Sequence, residues 1–171
     1  FLSNCKKPIF YVGGGVINSG LNASSELFKL MKKTGFPCTQ TLMGLGAFPM
    51  SDKQFLGMLG MHGTYEANMG MYNCDLMICV GARFDDRITG KVDEFSPGSK
   101  KIHVDIDPSS IGKNIKVDLA IVSDVSEFLK SLIKRFKEKN KNFLSSNKQK
   151  TSKWWSTIEK RSEEHTSELQ S

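Results

Sequence analysis

What this 171-residue chain lacks already narrows the kind of protein that it can be. No apolar run approaches the roughly 18 residues that a membrane-spanning helix needs, and no signal-peptide pattern opens the sequence. The four cysteines form no C-x-x-C pair, and three of them lie in or beside apolar runs. Buried free thiols in a reducing cytoplasm are therefore expected rather than disulfides.

The chain is short of acidic residues only towards its end. Its net charge is +6, yet residues 1–129 carry 13 basic and 13 acidic side chains. The excess lies in residues 130–153, where nine basic residues accompany one acid, Glu138. No aromatic platform or recognition module accompanies this charge, so we interpret the segment as a solvated helix end and a linker, not as a nucleic-acid surface.

Short apolar runs alternate with stretches of helical periodicity along residues 1–138. The pattern predicts strands over 8–12, 36–41, 76–80, 101–107 and 120–122, and helices over 24–34, 64–72 and 125–136. Strands that alternate with helices indicate a parallel sheet covered on both faces. The predicted fold is a three-layer, Rossmann-like α/β domain of the FAD/NAD-binding type, with five to six parallel strands.

The glycine triplet Gly13–Gly15 follows the first predicted strand, which is the usual place for a phosphate-binding turn. The sequence there is not G-x-G-x-x-G, because Gly20 comes too late. Gln40 and Thr41 also stand where a ribose-binding acid would end the second strand. An NAD site of the usual kind is disfavoured, and phosphate binding and a simple tight turn both remain open.

Charge is concentrated directly after the strand at 76–80, in the loop Gly81-Ala-Arg-Phe-Asp-Asp-Arg87. Ligands of open α/β sheets bind at the carboxyl ends of the strands. Arginine suits bidentate contact with phosphate or carboxylate, and neighbouring aspartates can orient it or bind hydroxyls. The alternative is an internal cluster of salt bridges.

Two further segments carry candidate groups. Asp105 and Asp107, two apart at the end of a strand, are expected to point the same way and to accept hydrogen bonds from a ribose or an adenine amine. The alternative is an aspartate-capped turn, and with His103 as the only other candidate ligand nearby no metal site is expected. His62 has no serine, cysteine or acid placed by sequence as a partner, so a ligand-stacking or backbone-ordering role is favoured over a general base.

Five segments in order, residues 12–16, 41–49, 59–64, 80–87 and 103–108, resemble the central domain of the large, catalytic subunit of acetolactate synthase, also called acetohydroxyacid synthase. The resemblance covers residues 6 to about 160. It implies a thiamine-diphosphate enzyme that decarboxylates pyruvate and joins the two-carbon fragment to pyruvate or 2-oxobutanoate. The central domain of that family holds FAD, which does no net redox work there.

The same resemblance implies a set of cofactor-binding residues. The flavin, ribityl and diphosphate groups would contact Gly13, Gly14, Thr41, Leu42, Met43, Leu59, Met61, His62, Gly81, Arg83, Asp85, Arg87 and Ile88. The adenosine end would contact Asp105, Ile106, Ser123 and Asp124. Met61, Asp86 and Arg87 would lie beside the substrate channel.

The resemblance also implies what lies elsewhere. The glutamate that activates thiamine and the site for diphosphate and Mg²⁺ belong to other domains, so we expect no catalytic residue in this segment and no activity from it alone. The parent would be a homodimer or higher oligomer with a small regulatory subunit, in the bacterial cytoplasm, binding neither nucleic acid nor membrane.

Both ends of the chain are expected to be artificial boundaries. The chain begins at Phe1, so a preceding piece is expected, and residues 139–160 are predicted to be a linker towards a missing C-terminal domain. The rings of Trp154 and Trp155 in that linker are predicted to be partly exposed. Residues 161–171 resemble the translation of a sequencing-library adapter and are left out of the fold prediction.

Two other functions stay open. A sister thiamine-diphosphate enzyme, such as glyoxylate carboligase or pyruvate oxidase, shares the domain architecture, although the Arg-Phe-Asp-Asp-Arg loop favours acetolactate synthase. A stand-alone regulatory module that binds ADP or NAD has a similar fold.

Overall fold

The computed structural model describes residues 1–139 and 143–170. The strands are β1 (Pro8–Val12), β2 (Cys38–Gln40), β3 (Phe55–Met58), β4 (Leu76–Val80), β5 (Lys100–Asp105) and β6 (Leu119–Val122). The helices are α1 (Gly14–Asn18), α2 (Leu21–Thr34), α3 (Tyr65–Asn73), α4 (Asp86–Thr89), α5 (Val125–Lys139) and α6 (Phe143–Gln170). The prediction of a chain that alternates strands and helices is confirmed.

The strands form one six-stranded sheet in the order β3-β2-β1-β4-β5-β6. Every neighbouring pair is parallel. Strands β1, β2 and β3 follow one another outward on one side of the sheet, and β4, β5 and β6 do so on the other side. The strand order therefore reverses between β1 and β4. Loops leave in opposite directions there and open a crevice at the carboxyl ends.

Helices cover both faces of the sheet, as predicted. Strands β1 and β4 are buried at every position, which is typical of a central parallel strand. One core contains Leu27 and Leu30 of α2 and Leu129 of α5. The other contains Ala67 and Met71 of α3. The three-layer α/β fold class is therefore confirmed.

The sequence prediction missed one strand and made two others too long, since the strand predicted over 36–41 is Cys38–Gln40. Strand β3 was not predicted because Gly57 interrupts it with a φ of 102° and its residues are only half-buried at the sheet edge, so they show no clear alternation. The predicted strand over 101–107 ends at Asp105. All four cysteines are buried and free, as expected.

Helix α6 includes most of the predicted linker and continues into the adapter-like segment as far as Gln170. Its tryptophans bond to the start of β1 and to the end of α2. The Trp154 indole Nε1 donates to the Pro8 carbonyl at 3.1 Å, and the Trp155 Nε1 donates to the Gly35 carbonyl at 2.9 Å. Trp154 is buried, so the prediction that its ring is partly exposed is wrong. Trp155 is half-buried, as expected.

Parts of the predicted terminal segments lie outside the described residues, namely 140–142 of the linker and residue 171 of the adapter-like tail. Within residues 1–139 and 143–170, the structure has no helix long and apolar enough to cross a bilayer.

Candidate functional site

A cleft of about 970 Å³ opens at the carboxyl edge of the sheet. The segment that follows each of the six strands contributes to its wall, from α1 after β1 to the start of α5 after β6. Its volume is at the upper end of the range of small-molecule sites. It also lies at the switch point, where the topology places the ligand of an open α/β sheet.

The cleft brings together nearly all the residues predicted to bind cofactor. Those that line it are Gly14, Thr41, Leu42, Met43, Leu59, Met61, His62, Gly81, Arg83, Asp85, Arg87, Ile88, Asp105, Ile106 and Asp124. Gly13 and Ser123 are not in its wall. Of the three residues predicted to lie beside a substrate channel, Met61 and Arg87 line the cleft and Asp86 does not.

Residues 82–85, which we call the cleft loop, alternate between buried and accessible side chains. Ala82 and Phe84 are buried, whereas the side chains of Arg83 and Asp85 are 70% and 48% exposed. These two side chains form a single ion pair at 3.4 Å, from Nη2 to Oδ2. The predicted alternative of an internal salt-bridge cluster is therefore wrong, and the arginine remains accessible to a ligand.

The glycine triplet allows two loops to approach each other closely. A Cβ atom on Gly13 would lie 2.1 Å from the Gly81 carbonyl oxygen, and one on Gly15 would lie 2.7 Å from the Gly81 Cα. The Gly13 and Gly15 amides donate to the carbonyls of Val80 and Gly81. Because these donors are used within the protein, the triplet acts first as a packing element, and the helix that follows is only five residues long.

The opposite wall of the cleft is apolar and accessible. Leu42, Met43 and Met61 are more than two-thirds exposed, and all three line the cleft. The Met61 amide donates to the Arg87 carbonyl at 3.3 Å, which holds the β3 and β4 loops together. His62 is exposed beside them, and among the described residues it has no hydrogen-bond partner, so nothing here makes it a general base.

The two aspartates after β5 have different environments. Asp105 lines the cleft, whereas Asp107 lies beyond the strand. Hydrogen bonds from the hydroxyl and amide of Ser109, and from the Ser110 hydroxyl, hold the pKa of Asp107 below its usual value. Because Asp107 follows the end of β5 and caps a turn, the strand alternation that predicted one direction for both carboxylates does not apply to it. The Asp105 Oδ1 accepts from the Asp107 amide at 2.9 Å.

Asp124 also has a structural task. Its Oδ2 accepts from the Ser19 hydroxyl at 2.9 Å, and its Oδ1 accepts from the Ser126 amide at the start of α5. The Ser19 bond ties the β6 loop to the end of α1. Its pKa is lowered, first by the Ser19 hydrogen bond, so the carboxylate stays charged.

Sequence reasoning missed several cleft residues. They are Gly15, Ile17, Asn18, Ser19, Met58, Gly60, Ala82, Ser110 and Val125. Those of α1 directly follow the glycine triplet, and their position after β1 at the switch point was the signal available. No group of three or more potential metal ligands occurs among residues 1–139 and 143–170.

The comparisons with known proteins agree with this fold. Residues 1–132 match the family model described as "Thiamine pyrophosphate enzyme, central domain". The chain belongs to this family, which takes its name from thiamine pyrophosphate.

Several similar relatives are named acetolactate synthases. The chain is 46% identical over 159 residues to the acetolactate synthase large subunit of Buchnera aphidicola subsp. Schizaphis graminum, covering 93% of this chain and 26% of that protein. It is 47% identical over 164 residues to the large subunit from Cyanidium caldarium, covering 96% and 27%. It is 42% identical over 154 residues to the isozyme 3 large subunit of Escherichia coli K12, covering 90% and 26%. The chain spans about a quarter of the length of these relatives.

Proposed function

We propose that this chain is the FAD-binding central domain of an acetolactate synthase large subunit. The observation that supports this most strongly is the composition of the cleft wall. Accessible apolar side chains, an exposed arginine pair and strand-end carboxylates lie in one cavity at the switch point. A flavin dinucleotide needs these three environments for its ring, its diphosphate and its ribose.

The residues present fit that cofactor. Leu42, Met43 and Met61 would contact the isoalloxazine ring, because they offer apolar surface that is otherwise left in water. Arg83 would neutralise the diphosphate, a role for which the guanidinium is well suited. Asp105 would accept from hydroxyl or amino groups at the adenosine end. FAD can supply redox chemistry when it is bound to a protein. In this domain we propose that its role is structural.

For the parent enzyme we propose the conversion of two pyruvate molecules into 2-acetolactate and CO₂. The carboxylate of one pyruvate leaves as CO₂, and the remaining two-carbon unit bonds to the carbonyl carbon of the second. Thiamine diphosphate and Mg²⁺ would be bound by other domains. This chain would contribute Arg87, beside Met61, to attract a substrate carboxylate. The names of the relatives support this proposal.

We further propose that the parent acts as a homodimer or higher oligomer with a small regulatory subunit, in the bacterial cytoplasm. The relatives are named large subunits, and four buried free thiols suit a reducing compartment.

Titration of the 171-residue chain with FAD, ADP and NAD tests the cofactor, with flavin fluorescence and calorimetry as readouts. We expect FAD to bind more tightly than the other two. Arg83→Ala should weaken FAD binding about tenfold, because a charge-assisted hydrogen bond contributes roughly 1.5–3 kcal/mol. Arg135→Ala, an exposed arginine on α5, is the matched control and should leave the affinity unchanged.

Preference for ADP or NAD without flavin binding would contradict the proposal and favour a regulatory nucleotide-binding module. Flavin binding that is insensitive to Arg83→Ala would refute the role of that side chain. A sister enzyme such as glyoxylate carboligase would be distinguished by assaying the full-length parent with pyruvate and with glyoxylate.

A further inference from the structure

Three buried polar side chains lie side by side beneath the cleft loop, on three adjacent strands. Tyr11 of β1 pairs with Cys79 of β4, and Cys79 pairs with His103 of β5. All three are fully buried. We call them the anchoring row, and they lie on the face of the sheet that α3 covers.

Each member of the anchoring row bonds to the backbone of the cleft loop. The Tyr11 hydroxyl donates to the Arg83 carbonyl at 2.9 Å. The Cys79 thiol donates to the Ala82 carbonyl at 3.1 Å, and the His103 Nε2 lies 2.8 Å from the same oxygen. Because a carbonyl only accepts, the His103 ring must carry its proton on Nε2.

A third carbonyl of the same loop is held from the other side. The Asn114 side-chain amide donates to the Phe84 carbonyl at 2.6 Å. The Phe84 ring packs on Tyr11 at 5.4 Å and meets the His103 ring edge-on at 5.2 Å, both between ring centroids. Three successive carbonyls of the loop are thus fixed, and an aromatic side chain is locked between two members of the row.

This arrangement determines where the charged side chains point. Ala82 and Phe84 are buried, whereas Arg83 and Asp85 between and after them are accessible and line the cleft, so the bonds that fix the loop also fix where these two side chains lie. Apolar side chains would fill the same core positions without the cost of burying polar groups. The three polar side chains all donate to the Ala82 and Arg83 carbonyls. Holding the cleft loop in place therefore explains why polar groups are buried here.

We propose that Tyr11, Cys79 and His103 are positioning residues, which act through the cleft loop to present Arg83 and Asp85 to the ligand. The row itself does not touch the cavity. The ligand part of this inference rests on the proposed FAD site, but the positioning of the loop does not.

The test compares variants of the 171-residue chain with and without ligand. Tyr11→Phe and His103→Leu each remove a donor, whereas His103→Gln keeps an N–H near the position of Nε2. Trp155→Phe is the matched control, because it removes a bond from an aromatic side chain to a backbone carbonyl at the opposite edge of the sheet.

Without ligand, we expect trypsin to cleave after Arg83 about fivefold faster in Tyr11→Phe and His103→Leu, with faster amide exchange in the cleft loop. Their FAD affinity should fall severalfold. His103→Gln should restore both values, and Trp155→Phe should change neither. Nitrogen-15 NMR should show His103 protonated on Nε2 and not on Nδ1.

The proposal would be overturned if Tyr11→Phe and His103→Leu were cleaved and exchanged no faster than Trp155→Phe. A His103 ring protonated only on Nδ1 would also overturn it. If the unaltered chain binds no FAD, the proposed function fails. The ligand-free cleavage and exchange measurements still decide the positioning role in that case.

Discussion

His103 is a histidine in the middle of a buried strand, which makes its protonation energetically unfavourable. Burial lowers its pKa, and the hydrogen bond to the Ala82 carbonyl and the nearby Asp105 only partly offset this effect. Among the described residues its Nδ1 has no partner. The fold therefore requires a neutral imidazole at this position.

This requirement predicts a pH-dependent stability. Below the ordinary histidine pKa of 6.5, the unfolded chain takes up a proton at His103 that the folded chain does not. The free energy of unfolding should therefore fall as the pH drops below that value, by at most about 1.4 kcal/mol per pH unit for one proton. Above it the contribution is complete. Urea unfolding at a series of pH values measures this slope.

His103→Gln should lose that part of the pH dependence, whereas His62→Gln, which replaces an exposed histidine, should keep the slope of the unaltered chain. Equal slopes for all three proteins would show that the pKa of His103 is the same in the folded and the unfolded chain, and would contradict this prediction.

At the scale of elements, the glycines after β1 and β4 determine how closely their loops meet. Gly13 and Gly15 pack against Gly81, whose φ of 57° favours glycine. The loops that form the switch point are therefore in direct backbone contact, and the cleft begins above that contact.

Gly13→Ala should be destabilising by about 2 kcal/mol or more, because its Cβ would overlap the Gly81 carbonyl and the neighbouring backbone cannot yield easily. The same change should weaken FAD binding, since it displaces the cleft loop. Gly98→Ala is the control, as a Cβ there meets nothing within 4 Å. Urea unfolding of both variants checks the difference, and equal stabilities would contradict the packing role.

The elements that sequence predicted well are those with a strong local pattern. Strands β1 and β4 are fully apolar runs, α2 has a clear apolar stripe, and Gly35 ends that helix in the left-handed conformation. Most of the residues that the family resemblance implied line the cleft. The anchoring row could not be predicted from the sequence. The neighbours of Cys79 depend on strand order and register, which bring together residues far apart in sequence.

At the scale of the whole molecule, α6 connects distant parts of the chain. Trp154 bonds to the start of β1 and Trp155 to the end of α2, and Ile158 is also buried. The sequence of this segment predicted a linker because most of its residues are hydrophilic. The few apolar side chains that do the packing are too widely spaced to show a clear stripe.

Trp154→Ala should reduce the free energy of unfolding by about 3–5 kcal/mol, as expected for truncation of a buried tryptophan. Ser156→Ala, at an exposed position on the same helix, should change it by less than about 0.5 kcal/mol. Urea unfolding followed by circular dichroism measures both. A Trp154→Ala variant as stable as Ser156→Ala would mean that α6 does not pack on the sheet.

The contact between Gly13, Gly15 and Gly81 also bears on how ligand selectivity can change. The base of the cleft at the switch point is built from main chain, which is nearly the same for any sequence that keeps these glycines. Side chains can therefore change the ligand preference without disturbing this base, and the exposed apolar ones are Leu42, Met43 and Met61. A change of ligand would be sought first among those side chains.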